Sequence, residues 1–158
     1  VTVLADGGRL RQVVDNLLSN AIKYSPAGGL VRIACAVSGA APAPTPADQP
    51  PRRHSQGPLP LAAVPDGSAP WQPGRATVPS VTMTVADSGI GIGAHEREQL
   101  FGRFARLDGA RAGQMRGAGL GLYICRQLME GMGGAIWLES ATPGHGSVFA
   151  LWLPLAPA

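Results

Sequence analysis

Apolar residues at Leu10, Val13, Val14, Leu17, Leu18, Ala21 and Ile22 recur at the i, i+3, i+4, i+7 spacing of an amphipathic helix, and the pattern holds to Tyr24. Asp6 offers an N-cap, although Arg9 rather than Glu stands three residues on. Ser25-Pro26-Ala27-Gly28-Gly29 closes the helix with strong turn chemistry. Val1 to Leu4, ahead of it, alternates weakly as a short strand. The period then changes from 3.6 to 2. Leu30 to Ser38 reads as a strand with Val31, Ile33, Cys35 and Val37 on one face, and Val81 to Val85 as another. Between them, Gly39 to Ser80 holds eleven prolines in 42 residues and no apolar period. That composition predicts a disordered insertion, a loop tolerated between two strands, with PLPLAAVP a weak candidate for an extended polyproline segment. Ala94 to Phe104 predicts a short helix with Leu100, Phe101 and Phe104 apolar, and residues 105–118 a mobile Arg/Gly-rich loop. A longer helix opens at Gly119. Leu120, Ile124, Leu128 and Met132 repeat in it every four residues, joined by Cys125 and Met129, and Gly133-Gly134 stops it. Ala135 to Ser140 and Ser147 to Leu153 form a closing hairpin about the turn TPGHG. Strands grouped with helices, without regular βαβ alternation, predict an α+β two-layer sandwich, one domain over residues 1–158 interrupted at 39–80.

Composition narrows the function classes. The chain has 158 residues, 45% hydrophobic and only 5% aromatic, so aliphatic packing must build the core. A formal charge of +3, with no Lys/Arg run longer than two, argues against a nucleic-acid surface. No apolar run is long enough to span a bilayer and no signal peptide is visible, which predicts no direct membrane contact from this chain. Cys35 and Cys125 fall inside a predicted strand and helix and read as buried free thiols. The abrupt start at VTVLAD predicts a piece of a longer protein.

Three stretches carry chemistry. On the first helix Asn16, Asn20 and Lys23 share a stripe beside the apolar face. Two amides and an ammonium in line can hold a hydrated cation and a phosphate chain. Lys23 is the only lysine against twelve arginines, and a compact ammonium binds phosphate differently from a guanidinium. Most polar helix faces are only solvated, however, and alone this one reads that way. Asp87-Ser88-Gly89-Ile90-Gly91 follows a strand directly. A carboxylate there can accept a hydrogen bond from an exocyclic amine, and glycines let the backbone approach a ligand. By itself such a stretch is more often a turn. Gly117-Ala118-Gly119-Leu120-Gly121-Leu122 opens a helix, where backbone N–H groups and the helix dipole favour an anion, or where glycines simply make a hinge. No Gly-Lys-Ser/Thr follows and no strand precedes it, so it is neither a P-loop nor a dinucleotide fingerprint.

In this order the Asn-x-x-x-Asn-x-x-Lys-Tyr helix, DSGIG after a strand, Phe-x-x-Phe, a polar loop and GAGLGL opening a helix resemble the ATP-binding catalytic domain of sensor histidine kinases. That domain belongs to the GHKL superfamily, together with the ATPase parts of type II topoisomerases, a heat-shock chaperone and mismatch-repair proteins. The resemblance covers residues 1–38 and 80–154. It implies a Bergerat-type fold, a mixed β-sheet covered on one face by three helices, with ATP and Mg²⁺ as cofactors. Asn20 would coordinate Mg²⁺, Asn16 would support the metal and phosphates, and Lys23 would contact phosphate. Tyr24 would lie along the adenine, Asp87 would accept its amine, Gly89 and Gly91 would turn the chain around the base, and Ile92 would line the pocket. Phe101 and Phe104 would anchor a lid over residues 105–116, with Arg106 a weaker phosphate contact. Gly117, Gly119 and Gly121 would wrap the phosphates, and Leu120 and Leu122 would seat the helix. Ala118 departs from the small hydroxyl residue usual in the family, and the insertion is long.

The resemblance also implies a mechanism. The superfamily's ATPases carry glutamate where this chain has Asn16, and an amide cannot take a proton from water. The implied enzyme is therefore the catalytic part of a protein-histidine kinase. It would present Mg·ATP to a histidine on a separate dimerisation and phosphoacceptor domain, N-terminal in the full-length protein. Its further partner would be a response regulator, and its setting the cytoplasm, with the full-length protein a candidate for inner-membrane anchoring. His95-Glu96-Arg97 looks superficially like a phosphoacceptor site but stands outside the helical context of one. The alternatives are an anti-sigma-factor-type serine kinase on the same fold and a non-catalytic nucleotide-binding module.

Overall fold

The computed structural model describes residues 2–42, 77–105 and 119–156. Helix α1 spans Gly7–Tyr24, β1 Val31–Pro42, β2 Thr77–Asp87, α2 Ala94–Arg97, α3 Gly121–Gly131, β3 Ala135–Thr142 and β4 Gly146–Pro154. Asp6 caps α1 as its sequence position requires, its carboxylate accepting from the Arg9 N–H at 3.0 Å. The short N-terminal strand reduces to a bridge between Val3 and Leu155. Strand pairing continues beyond the expected ends of the insertion, with Ala41 opposite Val78 and Pro42 opposite Thr77. The rest of the proline-rich stretch lies outside the described residues.

The sheet runs β1-β2-β4-β3, and every pair is antiparallel. This corrects the mixed sheet implied by the resemblance for the described strands. The reason is the closing hairpin: β4 inserts between β2 and β3, so strands that run parallel (β1 with β4, β2 with β3) are never neighbours. Period-2 alternation aligns Ile33, Val85, Phe149 and Leu138 in one cross-strand row and Cys35, Met83, Leu151 and Ile136 in the next. Both rows face the helices. Helix α1 lies over β2, α3 lies over β3, and the two helices pack on each other. Val13, Leu17 and Ala21 from α1 meet Cys125 and Met129 from α3 above Val85, Ile136, Leu151 and Leu153. Burying each such aliphatic side chain is worth about 1.5–3 kcal/mol.

Four sequence expectations shift. Strand β1 extends past the helices, so Ile33 and Val37 are about half exposed and Cys35 is exposed rather than buried. In α3 the buried seam is Cys125–Met129, while Ile124 faces outward at 39% exposure. Ile22, on the apolar stripe of α1, is likewise exposed. The short helix ends at Arg97 and continues to Gly102 as i→i+3 turns, because Leu100 and Phe101 are consecutive and both must reach the core. Phe101 meets Phe149 edge-on at 6.4 Å.

Candidate functional site

Helix α1 is the common wall of the site. Asn16 and Asn20 lie one turn apart, half-buried, and the Asn20 amide N–H donates to Asn16 Oδ1 at 3.2 Å. That bond commits the nitrogen of Asn20 and leaves its carbonyl oxygen as the atom that can face a cation. Gly121, the first residue of α3, sits directly against Asn16. A Cβ there would stand 2.6 Å from Asn16 Nδ2 and 2.9 Å from Oδ1. The head of α3 therefore abuts the asparagine pair. The N-cap residue Leu120 makes no side-chain cap bond to α3, and the helix dipole there favours an anion. The neighbouring Asp15 turns away: it is exposed and pairs with Arg11 at 3.5 Å.

One turn further along α1, Lys23 Nζ lies over the Tyr24 ring at 4.9 Å and within 3.4 Å of its hydroxyl. The carbonyl of Tyr24 accepts from Ile90 N–H at 3.2 Å, and a Cβ on Gly89 would approach that carbonyl to 2.5 Å. Glycine at position 89 is thus what lets the DSGIG loop lie against the end of α1. Asp87 ends β2 half-buried, its Oδ1 accepting from Gly89 N–H at 2.8 Å, with a second backbone bond from Ser147. Burial raises the Asp87 pKa above the ordinary carboxylate value, outweighing the two backbone donors that lower it. A carboxylate at this place is a discriminating acceptor for an amine N–H.

Of the residues singled out in the sequence, Asn16, Asn20, Gly121, Tyr24, Gly89 and Asp87 are thus linked through α1. Gly91 packs on the β3–β4 turn, and Ile92 is buried in the core cluster. Leu120 and Leu122 are half-buried, Leu122 against the core. Phe101 is anchored, but Phe104 is 69% exposed with φ 62°, so only one of the two phenylalanines anchors this segment. Gly119, at φ +68°, packs on the Phe104 backbone and brings the two ends of the intervening stretch together. Arg106 and Gly117, with most of the expected lid, lie outside the described residues.

Sequence reading missed three supports. Ser88 Oγ accepts from Leu30 N–H at 2.8 Å, Glu96 accepts from Gly93 N–H at 2.8 Å, and the TPGHG turn packs on the DSGIG loop. Ser-Gly and Gly-x-Gly pairs marked each place as a turn but not what it would touch. Among the described residues no group of three His, Cys, Asp or Glu side chains can hold a metal ion, so a cation beside Asn20 would complete its shell with a bound anion or water.

Comparison with known proteins decides what this arrangement is. A family model described as histidine kinase-, DNA gyrase B- and HSP90-like ATPase matches residues 71–157. This chain belongs to that ATPase family. The match takes in the DSGIG and GAGLGL stretches, and α1 is included in a longer alignment. The chain is 34% identical over 153 residues to the adaptive-response sensory kinase SasA of Thermosynechococcus vestitus, covering 97% of this chain and 30% of SasA. Among solved structures, a mycobacterial sensor histidine kinase, MprB, is 28% identical with a TM-score of 0.62, over 99% of this chain and 78% of that one. Full-length ShkA in complex with AMPPNP is 26% identical with a TM-score of 0.58, over 99% of this chain and 24% of ShkA. The chain is thus an ATP-binding catalytic domain of the sensor histidine kinase type and spans under a third of SasA. Within this ATPase-family domain no helix among the described residues is long and apolar enough to cross a membrane.

Proposed function

We propose that this single domain, residues 1–158, binds Mg·ATP and holds the γ-phosphate for attack by a histidine on a separate helical domain, as the catalytic part of a protein-histidine kinase. The observation that carries this reading is Asn16. The residue set against the head of α3 is an amide, and the adjacent carboxylate, Asp15, faces outward in an ion pair with Arg11. An amide at that place, with Asp15 turned outward, favours transfer to an external acceptor over hydrolysis. Asp87 takes the exocyclic amine of adenine, Gly89 and Gly91 shape the loop around the base, and Tyr24 and Ile92 provide apolar contact. Lys23 and the backbone N–H groups from Gly119 to Leu122, at the head of α3, neutralise the phosphates, with Gly117 beside them and Arg106 contributing from the lid.

The donor set fits Mg²⁺: one amide oxygen, that of Asn20, is oriented by its own N–H bond to Asn16, and phosphate oxygens and water complete the shell. When bound, the ion spreads the charge of the transferring phosphoryl group. The residues themselves act by positioning and by charge complementarity. The partners on this reading are the phosphoacceptor domain and a downstream response regulator, with cytoplasmic placement.

The test is calorimetric titration of ATP with and without Mg²⁺. The Asn20→Ala variant is expected to lose the magnesium-dependent gain in affinity while keeping its fold. Unchanged affinity for Mg·ATP would show that the metal ligand has been misassigned.

A further inference from the structure

The closing hairpin bends between β3 and β4 at Thr142–Gly146, more than 50 residues beyond the DSGIG loop. Three contacts join this turn to the end of β2 and the loop that follows it, and a fourth ties α2 to the end of β3 just ahead of the turn. The Gly144 N–H donates to the Ile90 carbonyl at 2.7 Å. Gly91, at φ +70°, lies so close to Thr142 that a Cβ would stand 2.0 Å from its carbonyl oxygen and 2.9 Å from Pro143 Cα. Gly146, at φ +96°, lies against the other side of the loop, where a Cβ would stand 1.9 Å from the Asp87 carbonyl oxygen. A guanidinium nitrogen of Arg97 donates to the Ala141 carbonyl at the start of the turn. Beside these, the Ser147 backbone N–H reaches the Asp87 carboxylate. Gly91 and Gly146 therefore interlock two backbones at contact distance, which only residues without a Cβ allow.

We propose that the Thr142–Gly146 turn is a positioning element for nucleotide selection. It clamps the DSGIG loop from outside and fixes the Asp87 carboxylate where it distinguishes adenine from guanine. The inference rests on the reading of Asp87 as the acceptor of the base amine. Adenine offers an N–H donor there, whereas guanine offers a carbonyl oxygen that repels a carboxylate. A fixed carboxylate discriminates sharply, and one free to swing away discriminates less. Gly91 and Gly146 are positioning residues on this view, because they act through Asp87 and not on the base.

The experiment measures Mg·ATP and Mg·GTP affinities by calorimetry on the full chain, four single variants and one double variant, with thermal midpoints alongside. Gly146→Ala forces the interlock apart, and Pro143→Gly loosens the same turn without a clash. Gly133→Ala is the control: φ is +71° there too, nothing lies within 4 Å, and it stands beyond α3 away from the site. Asp87→Asn gives the reference for loss of the acceptor. The expected result is an ATP preference that falls by about tenfold in Gly146→Ala and a few-fold in Pro143→Gly, the loss of one oriented charged hydrogen bond. Gly133→Ala should lower the thermal midpoint with the preference intact. Combining Pro143→Gly with Asp87→Asn should cost nothing beyond Asp87→Asn alone.

If wild type prefers ATP and Asp87→Asn loses that preference, but Pro143→Gly and any folded Gly146→Ala keep it, the positioning role is overturned and the reading of Asp87 stands. Should Gly146→Ala not fold, Pro143→Gly decides. If wild type shows no preference for ATP, the reading of Asp87 fails and this inference fails with it.

Discussion

Asp87 is the residue where burial and function pull in opposite directions. Its carboxylate is more costly to ionise in the folded chain than in the unfolded one, since burial outweighs the donors from Gly89 and Ser147. A carboxyl whose folded pKa is raised binds its proton more tightly in the native state. Its favourable contribution is complete below the unfolded pKa and is lost as pH rises through the raised folded value. The stability of wild type relative to Asp87→Asn should therefore increase as pH falls through that window. Denaturant unfolding at a series of pH values measures it, and a difference flat in pH would mean that Asp87 is not desolvated. Asn16 makes a separate point at this scale. Its amide is held between Asn20 and Gly121, and a substitution at Gly121 separates stability from ligand binding. Gly121→Ala places a methyl group within 3.0 Å of the Asn16 amide, whose side chain must move away, yet alanine is the better helix former by up to ~1 kcal/mol. Thermal stability is expected to hold or rise while affinity for Mg·ATP drops on the order of tenfold. Paired losses of stability and affinity would instead point to a packing defect.

At the scale of elements, the strongly periodic segments were legible in the sequence and their surroundings were not. The α1 pattern placed its ends and its Asp6 cap, because capping and a 3.6-residue period are local. The closing hairpin was equally plain from alternation about TPGHG. Exposure of Cys35, Ile33 and Val37 was not legible, because a strand's own alternation cannot tell whether a helix covers it. The same holds for α3, where a four-residue apolar repeat pointed to Ile124 while helix packing chose Cys125 and Met129. Cys125 illustrates the consequence. Its thiol lies under α1, 3.9 Å from the Val13 carbonyl, and burial pushes its pKa up to about 12. It is structural, whereas the exposed Cys35 is the accessible thiol of the described pair. The candidate site follows the same division. Asn16, Asn20 and Asp87 could be named from spacing and motif, whereas the clamp on the DSGIG loop joins residues more than 50 apart in the chain and left only an ordinary turn in the sequence.

For the whole molecule, the proposed reading separates the two ends of a bound nucleotide. Asp87, the DSGIG loop and the β3–β4 turn gather at one place, and the asparagine pair with the head of α3 lies further back along α1. An acceptor for the γ-phosphate has to reach the second place. His145 stands in the β3–β4 turn, at the end assigned to the base, and the Gly144 N–H beside it is bound to Ile90. His95 is exposed on the short α2, one residue from Glu96, which is occupied with the Gly93 N–H. Neither carries a helical hairpin, and His54 lies outside the described residues. On the proposed reading the chain binds nucleotide without a phosphoacceptor of its own. Incubation with γ-labelled ATP and Mg²⁺ is therefore expected to leave all three histidines without acid-labile label, and to release inorganic phosphate slowly, because Asn16 cannot act as a base. The same incubation with an added helical hairpin bearing the acceptor histidine should transfer label to that hairpin and not to this chain. Label on His95 or His145, or rapid phosphate release by the chain alone, would overturn the division of labour between an ATP-holding domain and a separate acceptor.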